Sequence, residues 1–170
     1  MENSHQQLYD QAQSTFGFVP NLIKEMAISP VPAKLYLIAQ EYLRDGVLSA
    51  QEQNAVQLAL ATDNECHYCV PAHWAAAKMA GMDACDLNAI RQGHAPENPE
   101  FNGLIYAARL IHSKQGRLSK SDYDDLDAWG IDRPKLYEIV VLLALKTLTH
   151  NINHIANTIV DEEIKDACED

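Results

Sequence analysis

The unbroken apolar run Ile139–Leu145 sets the terms for the whole chain. It sits inside a longer stretch, about Arg133 to Val160, that Asp132 can cap and that carries helix-forming residues throughout. From Ile139 to Leu148 that helix is apolar almost all round. A helix of this kind has to be buried, either at the centre of a domain or in a subunit interface. The run is well short of the roughly 20 residues needed to cross a bilayer, so no membrane span is expected.

The rest of the chain reads as further helices that could enclose this one. No stretch alternates apolar and polar residues as a half-buried strand would. Helix starts and stops recur instead. Segments are expected at about Glu2 to Phe16, after Pro20, and from Val31 to Arg44, where Leu35, Leu37, Ile38 and Tyr42 form an apolar side. Ser49-Ala50-Gln51-Glu52 is a capping box, in which Ser49 and Glu52 each take a backbone N–H, and the helix behind it reaches about Thr62. Further segments are expected at Cys66 to Ala80, Ala84 to Arg91, Phe101 to Lys114, and from Ser119 or Ser121 to Gly130. No internal repeat is present. The expectation is an all-α, single-domain bundle of about seven helices over 1–170, with an acidic tail that frays after about Asp161.

Composition narrows the function. With 13 Lys plus Arg against 24 Asp plus Glu, the net charge of -11 leaves no basic face for nucleic acid or for an anionic membrane surface. The segment Met1–Gln7 is polar and lacks an apolar core, so no secretory signal is expected and a cytoplasmic location follows. The four cysteines, Cys66, Cys69, Cys85 and Cys168, would then be reduced. Cysteines in such a compartment are metal ligands, redox centres or core filling.

The stretch Cys66-His67-Tyr68-Cys69-Val70-Pro71-Ala72-His73 bears on that choice. On a helix, Cys66, Cys69 and His73 share one face at i, i+3 and i+7. Pro71 is tolerated only near a helix start, which places the start around His67 or Tyr68 and Cys69 in the first turn. The positive helix end and a nearby histidine both favour a thiolate there. A Cys-x-x-Cys spacing lets a disulfide close, so the pair suits peroxide reduction or disulfide exchange. Zinc on Cys66, Cys69, His73 and a fourth ligand such as His150 or His154 is an alternative, as are two inert buried thiols. No metal or cofactor is assigned.

Three segments resemble the carboxymuconolactone decarboxylase superfamily in its alkylhydroperoxidase D-like, peroxidase-related branch. They are Gly17-Phe18-Val19-Pro20-Asn21-Leu22 with Met26–Pro30, Leu48 through His73, and Asn151-Ile152-Asn153-His154-Ile155-Ala156-Asn157. The resemblance implies an all-helical fold and a homo-oligomer, trimer or hexamer. It also implies thiol-dependent reduction of hydroperoxides, with a dithiol reductant such as a lipoyl or thioredoxin-like protein. Cys69 would attack the peroxide, Cys66 would resolve it, and His73 would join a proton relay.

The relatives place a glutamate twelve residues before the first cysteine, where this chain has Asn54. Glu52 is the nearest carboxylate, but two helical residues turn it about 200° away. It is a candidate base, with the capping box as its simpler role. Tyr68 stands where many relatives have histidine and could pass a proton through its hydroxyl. Two other functions stay open: a decarboxylase or lactone-processing enzyme, and a non-enzymatic redox sensor. Cys85 is expected to fill core, Trp74 to pack, and His150 and His154 to be structural.

Overall fold

The structure is a computed structural model that describes residues 2–168. Among the described residues it is all-α, with nine helices and no strand. They are α1 Glu2–Phe16, α2 Asn21–Met26, α3 Pro30–Leu43, α4 Ala50–Asp63, α5 Cys69–Met79, α6 Ala84–Arg91, α7 Pro99–Lys114, α8 Lys120–Ala128 and α9 Arg133–Ala156. The expected total of about seven is an undercount: each of the nine segments marked out in the sequence, the short α2 and α6 included, is a helix. Side-chain caps explain many of the starts: Ser49 and Ser119 close capping boxes with Glu52 and Asp122, while Asp83, Asn98 and Asp132 cap singly.

The central helix is α4, which packs against α5, α6, α7 and α9. Its residues from Ala55 to Ala61 are all buried in succession. The alanines at 55, 59 and 61 let neighbours approach from several sides at once, which larger side chains would prevent. The sequence expectation left α9 either at the centre of the domain or in a subunit interface; within the domain the central place is taken by α4. Ile139, Leu142 and Leu145 of α9 enter the core, but Tyr137, Val140 and Val141 are 66%, 48% and 40% exposed. The last helix also stops at Ala156 rather than Val160. Asn157 turns left-handed (φ 48°) and Thr158 N–H donates to the Asn153 carbonyl, which ends the helical ladder.

Counted with its flanks, α9 is long and apolar enough to cross a membrane, at mean hydropathy 1.2, which the apolar run alone did not indicate. The expected apolar side of α3 divides as well: Leu37 is buried with Ala33, while Leu35, Ile38 and Tyr42 stay exposed. The acidic segment after Asp161 is laid against the body as far as it is described. Ile164 is buried, and the Arg91 guanidinium donates to the Cys168 carbonyl at 2.7 Å.

Three apolar clusters result. One joins α4, α7, α8 and α9; one joins α4, α5, α6 and α7; and one joins α1, α2 and α3 to the start of α5, where both cysteines lie.

The turn between α3 and α4 is fixed from a distance. The Glu138 carboxylate on α9 accepts the Val47 and Leu48 amides at 2.6 and 2.9 Å. Gly46 makes room for it, since a Cβ there would stand 2.7 Å from both carboxylate oxygens. Gly46→Ala should therefore displace the carboxylate and cost about 1–3 kcal/mol, the range for hydrogen bonds to a charged group. Urea unfolding of Gly46→Ala, Glu138→Ala and the double variant tests this: the glycine substitution should cost far less when Glu138 is already absent.

Candidate active site

The end of α4 places the first cysteine. Glu65 adopts a left-handed conformation (φ 50°), Glu65 N–H donates to the Thr62 carbonyl, and Cys66 N–H donates to the Ala61 carbonyl at 3.0 Å. This is the pattern of a Schellman motif, which turns the residue after the left-handed position back onto the helix. Cys66 is thereby delivered to the interior, fully buried. Three residues later α5 begins at Cys69, slightly after the expected start, with Tyr68 at the cap position and no side-chain cap. Cys66 Sγ accepts the Cys69 amide at 3.1 Å, so the sulfur takes one of the helix's unpaired N–H groups. Pro71 falls within the first turn, where a missing N–H costs nothing.

Cys66 and Cys69 are joined as a disulfide, with Cα atoms 5.2 Å apart. Both sulfurs are buried, but only Cys69 lines the adjoining cavity of about 320 Å3. Its walls are largely apolar and include Phe16, Phe18, Leu22, Ile23 and Tyr36. The polar side chains on it are Thr15, Gln40, Asn54, Tyr68, His73, Thr149 and Asn153, with no carboxylate, lysine or arginine.

His73 lies one helical turn beyond Cys69 on this wall. Its Nδ1 is 3.4 Å from Asn54 Oδ1, which makes Nδ1 the donor and leaves Nε2 as the acceptor. Burial first, and the Lys146 charge second, hold the ring well below its ordinary pKa. His73 is therefore a neutral imidazole at physiological pH.

The other two expected site residues have different work. Glu52 is away from the dithiol cavity. Its carboxylate accepts the Ser49 amide at 2.6 Å and stands 3.5 Å from Lys135 Nζ. Burial pushes its pKa up, but the Ser49 hydrogen bonds and Lys135 outweigh that and hold it below the usual range. Helical phase, as expected from position 52 against 54, puts it on the wrong side of α4. Tyr68 does line the cavity, yet its hydroxyl is committed. It donates to Asp161 Oδ2 at 2.5 Å and accepts the Leu22 amide at 3.3 Å. Asp161 Oδ1 also accepts the Asn21 amide at 2.8 Å, so the pair supplies the cap that Pro20 cannot give α2. Burial, then the Asp161 hydrogen bond, push the phenol far above its usual pKa. It is a fixed donor and holds α2 in place.

Two residues that the sequence reading did not single out bear on this site, Asn153 from its wall and Lys146 from the second cavity, through its charge on His73. Asn153, fully buried, points its amide at Cys69 Sγ from α9, with Nδ2 3.5 Å away. Lys146 is 2% exposed, and its amine has no hydrogen-bond partner among the described residues. The signal was there: Lys146, Thr149 and Asn153 recur at i, i+3 and i+7 on a helix whose inward face is otherwise apolar.

The remaining candidates separate from the site. His67 donates to the Thr158 carbonyl at 2.9 Å. His150 borders a second cavity, of about 190 Å3, beside Lys146, and His154 is exposed. Cys85 is exposed rather than core filling, because it sits at the start of α6 facing solvent. The nearby Glu97 carboxylate, above all, raises its thiol pKa. Trp74 packs as expected, with the Arg91 guanidinium 5.7 Å over its ring. Among the described residues, no three His, Cys, Asp or Glu side chains converge as metal ligands.

The buried amine has a consequence for stability. Burial pushes Lys146 down from 10.5 to about 7. Between those values the unfolded chain binds a proton that the folded chain does not, so stability should rise with pH across that window and level off below it. Denaturant unfolding of the oxidised protein should show a gain of up to ~2 kcal/mol from pH 7 to pH 9. In Lys146→Met this rise should vanish.

Comparison with known proteins agrees with this architecture. Residues 32–101 match the carboxymuconolactone decarboxylase family, a span that includes α3, α4, the dithiol and α5. No curated protein matches the sequence. A peroxidase-related protein with an alkylhydroperoxidase AhpD core, from Ralstonia eutropha JMP134, superposes with a TM-score of 0.85 at 19% identity. The match covers 98% of this chain and 90% of that one. A peroxidase-related protein from Silicibacter sp. TM1040 gives 0.77 at 18% identity, over 94% and 86% of the two chains. A variant of the debrominase Bmp8 in complex with 2,3,4-tribromopyrrole gives 0.77 at 14% identity, over 96% and 88%. Residues 32–101 are thus similar to the carboxymuconolactone decarboxylase family, and the chain has the fold of the alkylhydroperoxidase AhpD core.

Proposed function

We propose that the protein is a thiol-dependent peroxidase that reduces organic hydroperoxides through the Cys66–Cys69 dithiol. The observation that carries this reading is the unequal exposure of the pair: Cys69 faces the cavity and Cys66 lies behind it. A hydroperoxide in the cavity meets Cys69 first. The Cys69 thiolate attacks the terminal peroxide oxygen, the O–O bond breaks, and the alkoxide leaves with a proton as the alcohol. Cys69 becomes a sulfenic acid, and the Cys66 thiol condenses with it to give the disulfide and water. An external dithiol, from a lipoyl or thioredoxin-like protein, reduces the disulfide. Asn153 donates toward the sulfur that carries the negative charge, and neutral His73 offers Nε2 as proton acceptor. The apolar walls suit an alkyl or aryl hydroperoxide better than hydrogen peroxide.

The same uncharged, aromatic-walled cavity favours one second reading, dehalogenation of a neutral haloaromatic, since one structural neighbour is named a debrominase. The cycle needs a reducing compartment, which supports a cytoplasmic location. The exposed apolar residues Val31, Leu35, Ile38 and Tyr42 of α3 support assembly as a homo-oligomer, trimer or hexamer.

The test is steady-state turnover of cumene hydroperoxide with dihydrolipoamide as reductant. Cys69→Ser should lower the rate at least ~100-fold, the scale expected for removing a nucleophile. Cys66→Ser should give one turnover and a sulfenic acid trapped by dimedone. Equal rates in wild type and Cys69→Ser would refute the peroxidase reading, and turnover of tribromopyrrole alone would favour the second. Sedimentation equilibrium should give a mass of three or more chains, and Leu35→Lys should lower it.

A further inference from the structure

We propose that Lys146 is the counter-charge of the reduced dithiol: a positioning residue that holds a positive charge behind His73, against which the Cys69 thiolate forms. This rests on the thiol chemistry proposed above.

The argument begins with a cost. A buried amine without a hydrogen-bond partner is rare, because desolvation of the charge is not repaid. Lys146 is such a group in the oxidised protein. Its place explains what would repay it. On α9 it shares a face with Thr149 and Asn153, which border the dithiol cavity. Helix α5 packs on α9, with Cys69 opposite Asn153 and His73 within electrostatic reach of Lys146. The two helices thus align one pair, sulfur and amide, with a second pair, imidazole and amine.

The groups that face Lys146 include one carboxylate, which already has a cation of its own. From α5 there is His73; from α9 itself, His150; from α7, His112 and Arg109; and from α4, Asp63. The carboxylate of Asp63 is held in a two-pronged pair with Arg109, at 2.8 and 2.9 Å. Asn54, beside His73, is neutral. Reduction of the disulfide creates the one missing anion, the Cys69 thiolate. Two electrons cleave the S–S bond, Cys66 takes up a proton as a thiol, and Lys146 takes up a second as an ammonium while Cys69 stays ionised. The low pKa of the amine in the oxidised state fits this account, since it is poised to gain a proton near neutrality.

The size of the effect follows from the spacing. Seven residues of helix separate Lys146 from Asn153, ~10 Å of rise. A unit charge at ~10 Å, in protein of effective dielectric ~20, moves a partner's titration by roughly one pH unit.

The experiment is the pH dependence of Cys69 alkylation by iodoacetamide in the fully reduced protein, with Cys66, Cys85 and Cys168 replaced by serine in every sample. Lys146→Met should raise the midpoint by about one pH unit, and Lys146→Arg, which keeps the charge, should leave it within ~0.3 unit of the lysine form. Replacing an unpaired buried charge with methionine is expected to preserve folding, and circular dichroism checks it. Should that variant fail to fold, Lys146→Gln serves in its place with the same expectation. An unchanged midpoint without the charge, or an arginine variant that titrates like the methionine one, overturns the proposal. Alkylation needs no peroxide. A protein that shows the shift but does not turn over hydroperoxide would refute the peroxidase reading and leave the counter-charge standing.

Discussion

The structure depends on one helix being buried on every side. With Ala55, Ala59 and Ala61 at its contacts, α4 lets α5, α6, α7 and α9 close in around it, so it contributes to all three apolar clusters. The same burial dictates how the helix must end. Its last carbonyls cannot be left to water, and the Schellman turn at Asn64–Cys66 satisfies two of them from the chain itself. A cysteine at the far side of that turn is carried into the core without further help. The position of Cys66, and with it the unequal access to the two sulfurs, is a by-product of terminating α4 correctly.

The second fixed point lies at the other end of the chain. Asp161 joins the amide of Asn21 and the hydroxyl of Tyr68, and so ties α2 and the cap of α5 to the segment that follows α9. Phe16, Phe18, Leu22 and Ile23 then become walls of the cavity. Residues that wall the cavity therefore come from both ends of the sequence, and a buried carboxylate with two partners sets their spacing. An acidic residue followed by a run of further acids reads as solvated tail in a sequence. Here Asp161 is buried, held by the Asn21 amide and the Tyr68 hydroxyl, and Ile164, three residues on, is buried as well.

Local chemistry was legible in advance, and long-range partnership was not. The Ser49–Glu52 box, the first-turn place of Cys69 and the shared face of Cys69 and His73 follow from spacing alone, and the structure has each of them. The end of α9 did not follow, because it turned on which residue adopts a left-handed conformation, and Asn157 is one of several that could. Tyr68 was read as a possible proton carrier because its hydroxyl had no visible partner in sequence; the partner lies 93 residues away. Lys146 was passed over inside a run that looked uniformly apolar. One lysine barely lowers the average of such a window, although it is the residue there with the most costly demand on its surroundings.

That cost also separates the two cavities. The dithiol cavity has no formal charge on its walls, while the one beside Lys146 has Asp63, Arg109, His112 and His150 around it. The net charge of -11 is therefore carried away from the dithiol chamber, whose walls are neutral. A neutral apolar chamber admits neutral organic molecules and gives no welcome to carboxylates. It also lets a single charge formed on sulfur act over a long range, because nothing nearby screens it. The atoms that could answer such a charge, the Asn153 amide and the Lys146 amine, sit on one face of α9. The same helix presents Tyr137, Val140 and Val141 to the outside, so any partner that covers them is in contact with the element that carries both groups.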